Sequence, residues 1–179
     1  MEHKISPNKP IRDVKETEAH AKVFFEMLRI KQELTKQILL NWHKEIFSET
    51  KPDIAGKFRD YLVRIGDHLA TDWQDVEALM LDLMRQIDNK PKGEEIIKFA
   101  AAIHYRFEKI HPFGDGNGRI GRLILNFLIW HAGYPMLIVT YKKRKSYNNA
   151  FKKDEENFIK YFLRYYLSIH KKRYLKSTS

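Results

Sequence analysis

The sequence contains no cysteine, which excludes a disulfide framework and thiolate chemistry and fits a reducing compartment. It also lacks any apolar run approaching the ~18 residues that a membrane-spanning helix needs. The opening stretch from Met1 to Asp13 is polar and carries no apolar core of a secretion signal. A cytoplasmic site of synthesis is therefore expected, with export as an effector by a route without a cleavable signal left open. Internal repeats and low-complexity tracts are absent, which removes solenoid and fibrous architectures. There is no H-E-x-x-H pair, so no zinc is assigned, and His104 and His131 are read as histidines on packed helix faces.

What is present describes one domain. The 179 residues suffice for a real hydrophobic core and are too few for two ordinary globular units. Hydrophobic residues make up 43% and charged residues 31%, a balance too apolar for a disordered chain. The formal charge of +10 points toward a polyanionic partner, and Lys142, Lys143, Arg144, Lys145 and Lys171, Lys172, Arg173 are its densest runs. Solvation alone accounts for such runs more often than a binding site does. A basic nucleic-acid-binding regulatory module without turnover therefore stands as a competitor and is not favoured.

Apolar spacing predicts helices almost throughout. Pro7 and Pro10 mark an extended arm; Val23, Phe24, Met27, Leu28 and Ile30 then line one helix. Ile38, Leu39, Trp42, Ile46 and Phe47 line a second, with Thr35 at its start. Between Gly56 and Gly66, Tyr61, Val63 and Ile65 alternate with Leu62 and Arg64 at the period of a strand. Helical spacing returns from Trp73 to Ile87 and again from about Glu94, where Ile97, Ala100, Ala101, His104, Phe107 and Ile110 share a face. Ile120, Leu123, Ile124, Phe127 and Leu128 line the next helix, closed by Gly133 and Pro135, and a final helix runs from Phe158 to Ile169. The expected fold is all-α, an irregular helical bundle with one short β-hairpin. An extended arm covers 1–13, the domain 14–170, and a basic tail 171–179.

The chemistry concentrates in the loop His111 to Gly118 and the helix that follows it. Gly116 and Gly118 permit successive N–H groups to turn inward, and a helix start adds the positive end of its dipole, so phosphate is the natural guest. Arg119 and Arg122, three apart, are expected to share a face and clamp further phosphate oxygens. Asp115 has two readings, a helix cap or a carboxylate that meets phosphate through Mg²⁺, and the neighbouring glycines and arginines favour Mg²⁺. His111 is the residue of this loop able to accept a proton near neutral pH; the other reading makes it a helix C-cap. The negative end of the preceding dipole is expected to favour its holding a proton. Gly116, Gly118 and Gly121 also spell G-x-G-x-x-G, but a helix rather than a strand precedes them, and no G-K-[ST] follows, so neither nucleotide-fold fingerprint applies.

The stretch HPFGDGNGRIGR, His111 to Arg122, resembles the signature H-P-F-x-[DE]-G-N-G-R-x-x-R of Fic-domain proteins. The similarity extends from about Thr17 to about Leu167, with His43 where members often carry a histidine. Gly56, Phe58, Arg59, Val63 and Ile65 are spaced like the family's G-x-[YF]-R-x-x-x-V-x-I flap, placing the flap at about 56–66. The resemblance implies a protein adenylyltransferase in which His111 deprotonates a Ser, Thr or Tyr hydroxyl that attacks the α-phosphate of ATP. It implies that Asp115 holds Mg²⁺, that Gly116, Asn117 and Gly118 stabilise the transferring phosphoryl oxygens, and that Arg119 and Arg122 meet the β- and γ-phosphates. Phe113 anchors the loop. Tyr147, in the stretch Arg144 to Tyr147, is the implied adenine contact, and Tyr61, Leu62, Val63, Arg64 and Ile65 are the implied docking edge for a target protein, with the chain itself an admissible target. Removal of AMP or transfer of another phosphate-linked group is the alternative activity. The family's inhibitory motif [ST]-x-x-x-E-[GN] has no counterpart: Glu156 and Asn157 match its end, but Lys152 stands where Ser or Thr belongs. An inhibitory element is therefore expected upstream, ahead of the helix-like stretch Val14 to Leu28, or on a separate partner.

Overall fold

The computed structural model describes residues 10–66 and 68–174. The arm read over 1–13 lies mostly outside them, and where it is described the helix has already begun: α1 spans Ile11–Met27 behind Pro10. Helix α2, Lys36–Phe47, starts as the sequence predicts, with the Thr35 hydroxyl accepting from the Ile38 N–H at 3.3 Å. After the hairpin and a short 3₁₀ turn come α3 (Val76–Asp88), α4 (Glu95–Ile110) and α5 (Asn117–His131), then α6 (Arg144–Phe151) and α7 (Glu155–Tyr174).

The centre of the bundle is the α4–α5 pair. Helix α5 buries every residue from Leu123 to Ile129, more than one face, because α1 and α2 pack on one side of it and α4 on the other. Helix α4 carries a similarly broad apolar surface, Ile96 to Ile110, against α3, α5 and α7. Each fully buried Leu, Ile or Phe contributes about 1.5–3 kcal/mol, so this pair fixes where the loop between α4 and α5 emerges. His104 is fully buried in α4 as expected. His131, expected on a packed face, is exposed; its ring lies 4.3 Å from that of Phe127 and its Nε2 is 3.0 Å from the Met27 carbonyl.

Three elements differ from the sequence reading. The strand residues are not Tyr61 to Ile65: the hairpin pairs β1, Arg64–Ile65, with β2, His68–Leu69, and Tyr61, Leu62 and Val63 are outside it. The alternation there is not an in–out pattern, since Tyr61, Leu62 and Ile65 are all exposed. The flap accordingly turns at Gly66 (φ 59°) and returns through Leu69. Helix α6 has no periodic signature because, among the described residues, only Tyr147 and Ala150 are buried, with the rings of Phe151 and Phe158 at 5.2 and 5.6 Å from Tyr147. Helix α7 starts three residues before Phe158, where the Asp154 carboxylate accepts from the Asn157 N–H at 2.8 Å, and it takes in residues 171–174 of the expected tail. The remainder of that tail, 175–179, lies outside the described residues.

The end of α5 is the boundary the sequence predicts best. Gly133 takes φ 84°, its N–H donates to Trp130 O at 2.9 Å, and Tyr134 N–H donates to Ile129 O at 3.1 Å, a complete Schellman closure. Open space surrounds the position where a Cβ would project, so the left-handed backbone is the only obstacle to a side chain. Gly133→Ala is expected to lower stability by about 1–2 kcal/mol, read as a shifted urea midpoint at unchanged m-value.

Candidate active site

Helix α4 ends in a residue that most side chains avoid. His111 has φ 52° and ψ 58°, the one non-glycine with positive φ among the described residues. Such a conformation costs on the order of 1–3 kcal/mol and persists only where its surroundings impose it. Arg59, buried just ahead of the hairpin, imposes it. Its Nε donates to His111 O at 2.8 Å, Nη2 to Ile110 O at 3.3 Å and Nη1 to Tyr61 O at 2.8 Å, while its own backbone N–H donates to Pro112 O at 2.9 Å. One guanidinium thus satisfies the orphan carbonyls at the end of α4 and ties them to the flap.

The His111 imidazole has a defined tautomer. Nδ1 lies 3.3 Å from the Glu108 carbonyl, which can only accept, so Nδ1 carries the hydrogen and Nε2 keeps its lone pair. The helix dipole led to the expectation of a raised proton affinity; the direction is the opposite. Burial holds His111 below its ordinary 6.5, with Arg59 acting in the same sense, and the Glu108 carbonyl and Asp115 offset this only partly.

Beyond His111 the loop closes on itself. Asn117 accepts from the Phe113 N–H at 2.9 Å and donates to the Phe113 carbonyl at 2.8 Å, so its buried side chain is turned into the loop. Of Asn117, expected among the ATP ligands, the backbone N–H at the start of α5 is the group placed to meet a ligand. Phe113 is buried, its ring stacked 4.0 Å from that of His43 at 6°. His43 accepts from the Gly56 N–H on Nδ1 and therefore donates from Nε2 to the Asp115 carbonyl, both at 3.0 Å. Burial pushes His43 down to about 4, so it is a neutral brace joining α2, the flap base and the loop. Gly116 turns into α5 at φ 77°, and a Cβ there would collide with the Phe47 ring.

The charged residues divide into two groups that the sequence reading placed together. Arg119 points to α1, where its Nη1 pairs with Glu16 at 2.7 Å, and it lies over the Phe47 ring at 5.2 Å. Glu16 is 1% exposed and also accepts from the Thr50 hydroxyl at 3.0 Å and pairs with Lys51 at 3.1 Å. Lys51 bridges onward to the Asp115 carboxylate, whose other oxygen accepts from the Gly116 N–H at 2.6 Å. These contacts hold both Glu16 and Asp115 below the usual carboxylate range against the opposing effect of burial. Arg122, by contrast, opens on a cavity of about 410 Å³ with Gly118, Glu108 and Tyr147, and Ile65, Gly66 and Leu69 of the hairpin form a further wall. Arg119 and Arg122 do not share that cavity. Tyr147 offers it only an edge, being 5% exposed with its hydroxyl bonded to His104 Nε2.

The sequence profile of the Fic/DOC family matches residues 33–129, and the protein adenylyltransferase Fic of Drosophila ananassae is 33% identical over 136 residues, 75% of this chain. The chain belongs to the Fic/DOC family. It spans about a quarter of the length of that relative (27%). The fold is that of solved Fic proteins: Fic-1 from C. elegans superposes with a TM-score of 0.77 at 24% identity, covering 98% of this chain and 56% of the other. A Fic domain containing signaling protein from Bacteroides thetaiotaomicron gives 0.75 at 23% identity, covering 92% and 75%. The Fic motif is therefore the loop described above, and the mostly helical class is the Fic fold.

Within this Fic site, Glu16, Lys51 and Glu108 escaped the sequence reading, and one signal was available. Glu16, His20, Val23 and Met27 fall at i, i+4, i+7 and i+11, so a carboxylate stood on the apolar stripe of α1. His20 lies close to both motif arginines, which together with burial hold it down to about 4, and its Nε2 has no hydrogen-bond partner among the described residues. Among the described residues no trio of His, Cys, Asp or Glu is grouped to hold a metal by itself.

Two outcomes follow from this geometry. Arg59→Met removes the guanidinium and leaves buried carbonyls unpaired, so a loss of about 3 kcal/mol or more in urea unfolding is expected. His20, His43 and His104 all titrate well below 6.5 in the folded state, at about 4, 4 and 3. The unfolded chain therefore binds more protons between pH 4 and 6.5, and the urea midpoint should fall as pH is lowered from 7 through that window.

Proposed function

We propose that this chain is a protein adenylyltransferase that moves AMP from ATP to a Ser, Thr or Tyr hydroxyl of a target protein. The observation that carries the reading is His111, whose Nε2 is left free to accept a proton because Nδ1 is committed to the Glu108 carbonyl at 3.3 Å. The names of the curated Fic relatives support the same reaction class. The target hydroxyl gives its proton to Nε2 as its oxygen bonds the α-phosphorus. The bond from that phosphorus to the bridging oxygen breaks, and pyrophosphate leaves with the electron pair. Backbone N–H groups of Asn117 and Gly118, at the positive end of α5, stabilise the charge on the phosphoryl oxygens, joined by that of Gly116 where Asp115 releases it. Arg122 meets the distal phosphates. Arg119 reaches them only by giving up Glu16, and otherwise holds α1 against the loop.

The Asp115 side chain fits a Mg²⁺ carried in with the nucleotide. It is an anionic carboxylate, 53% exposed, whose present counter-ion is the Lys51 ammonium, and a single carboxylate plus phosphate oxygens is a common Mg²⁺ donor set. When bound, the ion supplies charge neutralisation for the leaving pyrophosphate. Tyr147 and the apolar hairpin residues supply the wall for the adenine ring. The hairpin itself supports target docking by strand addition, since an exposed two-stranded ribbon can accept a further strand.

Incubation with α-labelled ATP, Mg²⁺ and a cell lysate should label protein bands, and His111→Ala should reduce the rate by about 10²–10⁴-fold. Absence of label with the unaltered chain would overturn the proposal. Label from γ-labelled ATP, or from UTP or GTP alone, would assign the site to transfer of another phosphate-linked group. Because His111 lies below its ordinary pKa, the acid limb of kcat/KM should set in only below about 6.5.

A further inference from the structure

The cavity beside Arg122 contains an acid that the proposed reaction does not use. Glu108 stands one turn before His111 on α4, on the wall of that cavity, and its carboxyl makes no hydrogen bond or ion pair among the described residues. It is pressed against α5: Oε1 lies 2.8 Å from where a Cβ on Gly121 would stand and 3.7 Å from the same point on Gly118. The Arg122 guanidinium is on the same turn, its Nη1 3.1 Å from the Gly118 point, yet the two side chains are not within ion-pair distance. A polyphosphate that reaches Arg122 and the backbone of Gly118 arrives next to this carboxyl. Two anions at that separation in a half-enclosed cavity repel strongly.

The geometry points to Glu108 as a proton-controlled element of the nucleotide site: it accepts a proton when the polyphosphate binds and then donates a hydrogen bond where its carboxylate would have repelled. This rests on the reading of the cavity as the ATP site. The groups around Glu108 leave it as the one suited to this role. From α5 the facing charge is Arg122, permanently positive, and from α6 come Lys152 and Tyr147. Burial drives Tyr147 far up, so it stays neutral. On its own helix, Lys109 is exposed, His104 is pushed down to about 3, and His111 is held below 6.5. The hairpin contributes Ile65, Gly66 and Leu69, all uncharged. Across the helix pair, His20 of α1 is down at about 4. Burial raises Glu108 to about 7, Arg122 opposing only in part, so its proton is exchangeable in the physiological range. Glycine at 121 is what permits the close approach, since a Cβ there would push both Glu108 and His104 away from α5.

The probe is α,β-methylene ATP with Mg²⁺, which cannot be cleaved at the bond the reaction breaks. For a free-state pKa of about 7 that rises well above 8 in the complex, Kd should weaken about tenfold between pH 6 and pH 8. Glu108→Gln, isosteric and unable to ionise, should bind about tenfold more tightly than the unaltered chain at pH 8 and about equally at pH 6. The ligand's own phosphate titration is common to both proteins and cancels in the comparison. Calorimetry at pH 7.5 in two buffers of different ionisation enthalpy should show uptake of most of one proton by the unaltered chain beyond that of Glu108→Gln. Binding with parallel pH profiles for the two proteins, or no net proton uptake by the unaltered chain, overturns the role of Glu108 and leaves the ATP site standing. No binding by either protein at any pH overturns the ATP site itself, and the inference with it.

Discussion

The backbone at His111 is the constraint on which the site depends. A left-handed histidine is what lets α4 stop, the chain pass through Pro112 and Phe113, and α5 start six residues on at Asn117. The strain is small beside the total stability of a domain, and the local bonds from His111 to the Phe107 and Glu108 carbonyls meet it only in part. Arg59 adds to them from some fifty residues away in sequence, collecting carbonyls of α4 and of the flap on one guanidinium. Flap position and base position are therefore mechanically one quantity. His43 repeats the arrangement on the other side of the loop, where a neutral, buried ring fixes the Asp115 carbonyl relative to Gly56.

Electrostatics then separates residues that the chain places side by side. Arg119 and Arg122 are three apart on α5, but α1 brings a buried carboxylate to the first and the cavity receives the second. The relay from Arg119 through Glu16 and Lys51 to Asp115 means that the charge of the proposed metal ligand is set partly by the first helix. Removing α1 would leave two cations at the loop, Arg119 and Lys51, without their shared carboxylate, so this helix belongs to the site and is not a decoration of the bundle.

Helices with a sustained apolar stripe were legible in the sequence, because burial on one face is what periodicity records: α2 from Thr35, α4, and α5 with its Gly133 closure are where the spacing places them. Helix α6 was not legible, since two buried residues in eight make no period. The hairpin was read one register early because Tyr61, Val63 and Ile65 alternate in type without alternating in environment. In the site, residue types announced themselves: His111, Asp115, the glycines and the arginines all lie on the loop or the helix start it leads into. Their partners did not. Nothing local in the chain says that Glu16 meets Arg119, that Asn117 closes on Phe113, or that burial outweighs the dipole at His111. Each of those is a long-range or internal contact that only packing decides.

The hairpin carries a consequence for the protein in bulk. It is two-stranded and displays Ile65 and Leu69 to solvent, with Tyr61 and Leu62 exposed just ahead of it. An edge of that kind does not distinguish a target segment from the same edge on another copy of the chain. The net charge of +10 keeps copies apart at low ionic strength, and salt screens that repulsion within about 8–10 Å. The colloidal behaviour of the protein thus depends on the element proposed for target docking: solubility and docking draw on the same exposed ribbon, with long-range charge as the arbiter between them.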